Sequence, residues 1–257
     1  MTRSDDQLKP EERAKRNQLR KEKPRVYEKI LKYDEKIKRG ESVAIIQFQY
    51  DYTCNFQCRH CCITKLRKKG AERCFTIPDV KELSRQADEM GLAHLVITGG
   101  EPCLQKDLIK FIKKIKALGY LIKLDTNGSY PEVLSGLIKE KLIDYIAMDL
   151  KAPEYKYGIV TEVDVNFNNI KKSVKIIMTS GLPYEFRTTV VPELLDKNDI
   201  NEMGKIIKGT EKWYLQNFKS QSDFVNQKLK GRVPYNSRQM KEMAEIGRKY
   251  AKICEVR

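Results

Sequence analysis

The sequence lacks any apolar run close to the roughly 20 residues that a membrane-spanning helix requires, so no such helix is predicted. Its first 25 residues are polar and charged and lack the apolar stretch of a secretory signal, so we expect a cytoplasmic protein. Disulfides are rare in proteins that are not exported, so the seven cysteines argue against a disulfide framework. Four of the seven fall within nine residues, which is typical of metal binding.

Acidic residues are too few to balance the basic ones, because 50 Lys and Arg stand against 35 Asp and Glu and give a net charge of +15. A field of this sign attracts anions such as nucleic acid, phosphorylated substrates or an acidic partner surface. The alternative is a lysine-rich exterior with no dedicated partner, since charge runs are usually faces exposed to water. The charge alone therefore supports nucleic-acid binding only weakly.

Residues 1–40 differ in composition from residues 41–257, and we predict that they form a separate basic N-terminal arm and helix. They hold 14 Lys and Arg and 8 Asp and Glu. Residues 1–23 have almost no apolar side chains, which predicts a flexible arm. Residues 24–39 begin with a proline, carry apolar side chains at helical spacing and are followed by a glycine, which favours a helix packed on the domain.

From about residue 42 onward, short strands alternate with amphipathic stretches, and the pattern occurs six times. Such alternation predicts parallel β-α units with right-handed connections, and hence an α/β fold, without deciding whether the sheet is open or closed. The predicted strands are residues 43–50, 94–98, 121–125, 145–149, 185–190 and 213–216. The predicted helices lie around residues 80–90, 108–115, 167–174, 200–207 and 240–251.

Polar or otherwise special residues fall at the carboxyl ends of the predicted strands. The carboxyl ends of parallel strands meet at one edge of the sheet, where the chemistry of such folds collects. The pattern therefore predicts one active site. The residues are Cys54, Gly99, Gly100, Glu101, Asp125, Asn127, Asp149, Lys151, Arg187, Gln216 and Asn217.

The most informative stretch is the cysteine-rich run that follows the first predicted strand. Cys54, Cys58 and Cys61 can point three thiolates at one metal centre from a single loop. Thiolates are soft ligands that select iron–sulfur clusters, zinc or copper(I). Together with the Gly-Gly-Glu-Pro run at residues 99–102, this pattern resembles the radical S-adenosylmethionine (SAM) superfamily. The resemblance implies that the three thiolates hold three irons of a [4Fe–4S] cluster and leave the fourth iron open.

A structural zinc site is the alternative interpretation of the same loop. Structural zinc usually takes two pairs of ligands separated by a longer spacer, and no clear second pair exists. The pool of zinc ligands would be Cys54, Cys58, Cys61 or Cys62, His60 and Cys74. Four cysteines are more typical of small buried hydrophobes or inert thiols than of ligands: Cys62, Cys74, Cys103 and Cys254.

Three later runs narrow the resemblance to the glycyl-radical-enzyme activating proteins, particularly the activases of pyruvate formate-lyase and of anaerobic ribonucleotide reductase. They are Asp-Thr-Asn-Gly at 125–128, Asp-Leu-Lys at 149–151 and Arg-Thr-Thr-Val-Val-Pro at 187–192. Taken singly, each run is equally consistent with a turn or a surface ion pair. The resemblance implies a partial (β/α)6 TIM-like barrel with parallel strands, preceded by the basic helical extension.

The resemblance also implies roles for individual residues. Cys54, Cys58 and Cys61 would hold the cluster, and His60 would lie near the adenine of SAM. Glu101 would hold the amino group of SAM, and the pair Asp125 and Asp149 also matches a site for a monovalent cation. The other residues implied to position SAM are Gly99, Gly100, Asn127, Lys151 and Arg187.

The implied reaction begins when a reductant such as flavodoxin or ferredoxin reduces the cluster. One electron then cleaves SAM to methionine and a 5′-deoxyadenosyl radical, which abstracts hydrogen from a glycine of a partner glycyl radical enzyme. No general base is required, which agrees with a sequence that has two histidines. Two alternatives stay open. One is a radical SAM enzyme acting on a small molecule or nucleic acid, as in 7-carboxy-7-deazaguanine synthase or RNA modification. The other is a zinc-containing nucleic-acid binder.

Overall fold

In the computed structural model, the described residues are 10–22, 24–39, 46–61, 85, 94–220 and 227–257. Apart from residue 85, the predicted helix around residues 80–90 lies outside these ranges, as do Cys62 and Cys74. No helix within them has both the length and the apolar character needed to cross a membrane.

Seven parallel strands form one sheet, in which each strand pairs with the next one along the chain. The predicted α/β class with a parallel sheet is confirmed, and six of the strands coincide with the predicted ones. The strands are β1 (Ile46–Asp51), β2 (His94–Gly99), β3 (Leu121–Thr126), β4 (Tyr145–Asp149), β5 (Tyr184–Val190), β6 (Thr210–Asn217) and β7 (Ala251–Val256).

Helices join the strands and cover the sheet with their apolar faces. They are α1 (Pro10–Glu22), α2 (Pro24–Lys38), α3 (Leu108–Ala117), α4 (Pro131–Lys139), α5 (Tyr157–Thr161), α6 (Phe167–Met178), α7 (Lys197–Ile206) and α8 (Ser237–Gly247). The periodicity of α3 shows why these stretches are helical: Leu108, Ile112 and Ile115 share one face, and all three are fully buried. The helices bury apolar faces of this kind, so a site can form at the strand ends, where the polar residues lie.

Strand β7 is an addition to the six predicted β-α units. The predicted helix over 240–251 is too long, since α8 ends at Gly247 and the chain re-enters the sheet at Ala251. A Cβ at Gly247 would clash with Cys254 Sγ and lie 3.2 Å from Cε3 of Trp213. The absence of a side chain at Gly247 therefore lets the end of α8 lie directly on β6 and β7.

The sheet is strongly curved. Seven strands at a spacing of about 4.8 Å would span about 29 Å if the sheet were flat. Tyr52, after β1, and Arg257, after β7, nevertheless line the same cavity, so the two edges approach each other. Within the described part of the chain, β1 and β7 are not hydrogen-bonded to each other. The predicted partial barrel is therefore confirmed, with seven strands in place of six.

The N-terminal region requires one correction. Residues 10–22, predicted as part of a flexible arm, form helix α1, which packs against α2 through a 2.7 Å ion pair between Arg16 and Asp34. The predicted second helix is present as α2, where Val26 is buried and Lys29 Nζ lies 3.5 Å from the ring centroid of Tyr120. The boundary at residue 40 between two units stays a prediction.

Glycine replacements should test the close packing around α7. Gly204 lies inside α7, where a Cβ would lie 2.7 Å from Cε2 of Tyr250, a ring whose hydroxyl donates to Asn201 Oδ1 at 2.7 Å. We expect Gly204→Ala to destabilise the protein by about 1–3 kcal/mol through overpacking. Gly136 in α4 is the matched control, because a Cβ there has no atom within 4 Å.

Gly136→Ala should instead stabilise the protein by about 0.5–1 kcal/mol, because alanine is the better helix former. Urea unfolding of both variants measures the two effects. Equal changes in the free energy of unfolding would contradict the packing argument.

Candidate active site

A cavity of about 530 Å³ opens at the carboxyl ends of the strands, inside the curved sheet. The residues that line it come from the loop after β1 and from the ends of β2 to β7. All twelve residues that the resemblance implied to hold the cluster or to position SAM are among them: Cys54, Cys58, His60, Cys61, Gly99, Gly100, Glu101, Asp125, Asn127, Asp149, Lys151 and Arg187. The prediction that these residues lie together is confirmed, whereas their individual roles stay predictions.

The cysteine loop after β1 is held in place by backbone hydrogen bonds to α5. The amide of Gln57 donates to the carbonyl of Thr161 at 2.9 Å, and the amide of Arg59 donates to the carbonyl of Val160 at 3.1 Å. Just after these anchors the Cys61 amide donates to the Cys58 carbonyl at 3.0 Å, which closes a tight turn. The loop is therefore pinned to the barrel at two points on either side of its central cysteine.

Polar donors already point at one of the three sulfurs. The amide of Phe56 lies 3.4 Å from Cys54 Sγ, and Nδ2 of Asn127 lies 3.8 Å from the same atom. Asn127 also donates to Asn55 Oδ1 at 3.0 Å, which joins the cysteine loop to the end of β3. Hydrogen bonds to sulfur stabilise the thiolate form and tune the potential of a cluster bound to it.

Burial controls the protonation of the cysteine loop in the absence of a metal. Burial raises the pKa of Cys58 to about 12, although the nearby Lys151 ammonium opposes the shift. Burial also lowers the pKa of His60 to about 3, so its imidazole is neutral, and His60 Nδ1 is buried with no hydrogen-bond partner. A bound metal centre would supply the positive charge that a buried thiolate needs, and a ligand could satisfy the histidine nitrogen.

Three cysteines of the loop supply the donors that an iron–sulfur cluster requires. Within the described residues, no three His, Cys, Asp or Glu side chains are grouped closely enough to hold one metal ion, and two members of the predicted zinc pool, Cys62 and Cys74, lie outside those residues. In a cluster each thiolate binds a different iron, so the three sulfurs need not converge on one point. The three thiols present are therefore compatible with the cluster.

The glycine-rich turn after β2 is shaped by its contact with the loop after β1. Gly99 has φ +139°, a conformation that favours glycine, and a Cβ at Gly100 would lie 2.6 Å from the carbonyl oxygen of Tyr52. The amide of Glu101 donates to the carbonyl of Thr53 at 2.9 Å. Both glycines are therefore required for the turn and the cysteine loop to approach each other.

The carboxylate of Glu101 is fully engaged by the protein. Its Oε1 accepts from the Cys103 amide at 3.0 Å and from the Thr126 hydroxyl at 2.7 Å, and its Oε2 accepts from the Asn127 amide at 2.6 Å. Burial raises the pKa of Glu101, and these hydrogen bonds work against that rise. Glu101 therefore ties the end of β2 to the end of β3, while its predicted contact with the amino group of SAM stays a prediction.

A network of four charged side chains crosses the ends of β3, β4 and β5. Arg187 Nη1 donates to Asp125 Oδ2 at 2.9 Å and Arg187 Nε donates to Asp149 Oδ1 at 2.8 Å, while Lys151 Nζ donates to Asp149 Oδ2 at 2.9 Å. Burial would raise the pKa of Asp149, but Lys151 and Arg187 outweigh it and hold that pKa below its ordinary range. Burial would likewise lower the pKa of Lys151 and of Arg187, but the aspartates outweigh it and raise both. Asp149, Lys151 and Arg187 are therefore charged.

Sequence reasoning missed several residues that line the cavity. Arg257 is the clearest example, because it enters the cavity from β7, which the sequence pattern did not reveal. Tyr52 and Lys219 were also missed, and no recognisable motif contains them, whereas Thr189 belongs to the run at 187–192 but was given no role. An apolar residue at 253 and another at 256, after the turn at 248–250, are the signal that could have indicated the extra strand.

A curved parallel sheet with a three-cysteine loop after its first strand is the architecture of an enzyme built around a metal cofactor. A comparison with protein families identifies the class of enzyme. Residues 51–205 match the radical SAM superfamily, and the chain belongs to it. This family implies a [4Fe–4S] cluster and SAM binding, and the protein is a radical SAM enzyme. The matched residues contain all twelve predicted site residues.

Relatives with different names match the chain to different extents. A candidate glycyl-radical enzyme activating enzyme of Methanocaldococcus jannaschii is 33% identical over 207 residues, which cover 77% of this chain and 83% of that protein. A candidate GTP 3′,8-cyclase of Pyrococcus horikoshii is 28% identical over 141 residues, which cover 53% of this chain and 45% of the cyclase. The chain therefore spans less than half the length of that cyclase.

A solved structure gives the same fold. SuiB of Streptococcus suis bound to its precursor peptide SuiA superposes with a TM-score of 0.64 at 17% identity, over 90% of this chain and 53% of SuiB. At this identity the likeness concerns the fold alone, and it agrees with the partial barrel described above.

The charged network predicts a pH-dependent effect of replacing Arg187. Arg187→Met removes one of the two cations beside Asp149, so the pKa of Asp149 should rise back toward about 4. A carboxyl group with a depressed pKa stabilises the folded state above its ordinary pKa, and this contribution is lost as the pH falls through the folded-state pKa. We expect the apoprotein to lose about 3–5 kcal/mol of unfolding free energy at neutral pH, and less at about pH 3, below the pKa that Asp149 takes in the variant.

Arg238→Met is the matched control, because Arg238 lies on α8 with 89% of its side chain exposed. Its effect should stay within about 0.5 kcal/mol at either pH. Urea unfolding at the two pH values measures both variants. If Arg187→Met lowered the free energy of unfolding by the same amount at both pH values, the electrostatic account would be contradicted.

Proposed function

We propose that this protein is an activating enzyme that removes a hydrogen atom from the α-carbon of a glycine in a partner glycyl radical enzyme. The observation that carries the proposal is the match to the Methanocaldococcus jannaschii relative, which extends over most of both chains. The match to the cyclase covers less than half of that enzyme, so it concerns a shared portion of the two proteins. The extent of the two matches therefore favours the activating enzyme.

In this proposal Cys54, Cys58 and Cys61 hold a [4Fe–4S] cluster, and SAM binds beside it. When bound, the cluster and SAM supply the one-electron chemistry that starts the radical reaction. The protein supplies the ligands, the hydrogen bonds to Cys54 Sγ and a buried setting for Cys58. A reductant such as flavodoxin or ferredoxin would deliver the electron.

The charged network would position SAM without needing to rearrange. SAM carries both an amino and a carboxylate group, so it requires acceptors and donors at fixed points. Asp125 Oδ1 is buried without a hydrogen-bond partner, with Lys123 Nζ 3.5 Å away, so the lining carries an unsatisfied acceptor. Lys151 and Arg187 supply cations held rigidly by the aspartates. Groups fixed in advance stabilise charge without reorganisation during the reaction.

Neutral His60 fits the predicted place near the adenine. The imidazole is buried and uncharged, so it would not repel the positive sulfonium of SAM. Its buried Nδ1 atom, which has no hydrogen-bond partner among the described residues, could pair with a polar atom of the base. In this proposal Glu101 accepts a hydrogen bond from the amino group of SAM while it keeps its three hydrogen bonds within the protein.

The first test removes the cluster ligands. We expect the Cys54→Ala, Cys58→Ala, Cys61→Ala triple variant to bind no cluster after anaerobic reconstitution, because each thiolate holds a separate iron. Iron content and the brown absorbance report the loss directly, and 5′-deoxyadenosine formed with dithionite and SAM should disappear. Cys254→Ala is the matched control, since Cys254 packs beneath α8 against Gly247, away from the cavity residues.

The Cys254→Ala control should retain the cluster and should still cleave SAM. If the triple variant continued to form 5′-deoxyadenosine, the assignment of the three ligands would be wrong. If wild-type protein bound only a colourless metal, the zinc interpretation would replace the cluster.

The second test concerns the substrate. With a partner enzyme that contains α-deuterated glycine, we expect deuterium to appear in 5′-deoxyadenosine, detected by mass spectrometry. A stable glycyl radical doublet should appear in the partner by electron paramagnetic resonance. Repeated turnover of SAM with a pterin or an RNA, and no doublet with any glycyl radical enzyme, would favour a small-molecule or nucleic-acid substrate instead.

A further inference from the structure

The cavity has two walls of different character. The predicted cofactor residues lie on the loop after β1 and at the ends of β2 to β5, which form the first wall. The second wall is formed by Gln216, Lys219 and Arg257, and we refer to it as the β6–β7 wall. All three residues lie outside residues 51–205, the part of the chain that matches the superfamily.

The β6–β7 wall is rigid. The Asn217 amide donates to the Arg257 carbonyl at 3.0 Å, and the Arg257 amide donates to the Leu215 carbonyl at 2.9 Å, so the two strand ends are paired. The Thr189 hydroxyl donates to Gln216 Oε1 at 3.4 Å, which connects the wall to β5. A ligand in the cavity would therefore meet groups that are already fixed.

The guanidinium of Arg257 is oriented by its neighbours. Its Cζ atom lies 3.3 Å from the ring centroid of Tyr214, so the group stacks on the aromatic ring. Its Nη1 lies 3.5 Å from Glu185 Oε2, and the Arg257 side chain is 49% exposed. The donors of Arg257 thus remain accessible from the cavity.

Cations on the two walls differ in how strongly the protein binds them. On the first wall, Lys151 and Arg187 are held at 2.8–2.9 Å by Asp149 and Asp125 and are mostly buried. Arg257 has a longer contact with its carboxylate, and Lys219 is exposed. The β6–β7 wall therefore presents positive charge to a ligand, while the charges of the first wall are compensated within the protein.

We propose that the β6–β7 wall is the substrate subsite, and that Arg257 binds a carboxylate of an acidic polypeptide segment close to the reacting glycine. This inference rests on the proposed function, because it takes the substrate to be a polypeptide. The guanidinium offers several donors in a plane that matches a carboxylate. The side-chain amide of Gln216 can both donate and accept, as a peptide group requires.

The edge of β7 supports a polypeptide over a nucleotide. Ile253 and Val256 are 41% and 38% exposed on β7. Among the described strands, β7 pairs with β6 alone, so no strand of that part of the chain occupies its outer edge. An open strand edge with exposed apolar side chains suits an extended polypeptide, which can pair with the edge and bury those side chains. Such a segment would lead directly from β7 to Arg257.

Peptide binding to the reconstituted enzyme with SAM tests the proposal. The probes are fluorescein-labelled peptides with a central glycine flanked by aspartate, by asparagine or by lysine. Fluorescence anisotropy should show that wild-type enzyme binds the aspartate peptide about tenfold more tightly than the asparagine peptide, as expected for one charge-assisted contact. Arg257→Gln should abolish that preference, and Arg257→Lys should keep most of it.

Arg238→Gln is the control for net charge, because it removes the same charge from an exposed position on α8. It should leave the tenfold preference in place, whereas an equal loss would show that the overall field, and not Arg257, selects the peptide. Arg257→Glu should reverse the preference toward the lysine peptide, which a misfolded variant could not do. Binding of GTP, measured by titration calorimetry, without binding of the aspartate peptide would overturn the proposal in favour of a nucleotide. Binding is measured without turnover, so its outcome is separate from that of the deuterium-transfer test.

Discussion

Buried Glu101 joins three strand ends and thereby places the rest of the site. Its backbone amide donates to the Thr53 carbonyl before the cysteine loop. Its carboxylate accepts from the Cys103 amide and, at the end of β3, from the Thr126 hydroxyl and the Asn127 amide. A buried carboxylate is tolerated only where such donors satisfy it, and removing one of them would leave an uncompensated buried group. The positions of Cys54 and Asn127 therefore depend on a residue that makes these contacts within the protein.

The charged network extends this arrangement across β4 and β5. Asp125, Asp149, Lys151 and Arg187 compensate one another, so the first wall can keep four charges buried in a small space. Compensation also makes that wall rigid, because Arg187 is held by both aspartates and Asp149 by both cations. The β6–β7 wall differs, because its Arg257 is stacked on Tyr214 and remains half exposed. One cavity thus combines a preorganised wall with an accessible one.

Sequence reasoning predicted the strands, because the pattern of apolar residues along the chain indicates them. It also predicted the polar residues at the strand ends, because their positions along the chain follow directly from the strands. It could not predict that Glu101 accepts hydrogen bonds from Thr126 and Asn127, since those partners meet it only when β2 and β3 are side by side. Helix α1 was missed because residues 10–22 carry almost no apolar side chains, and its contact with α2 includes an ion pair that only the folded chain brings together. Arg257 was missed with β7, whose short pattern follows α8 almost without a break.

The division of the cavity explains how relatives with different names can share so much of this chain. The superfamily match ends at residue 205, after the last predicted cofactor residue, Arg187, and before β6. An activating enzyme and a GTP cyclase both match the chain, although their names give different substrates. A fold of this kind can keep the chemistry of its cofactor while the remaining strands vary. Because β6 and β7 contribute to the cavity without belonging to the matched region, they are the part of the barrel where a change of side chains can alter the substrate and leave the cysteine loop unchanged.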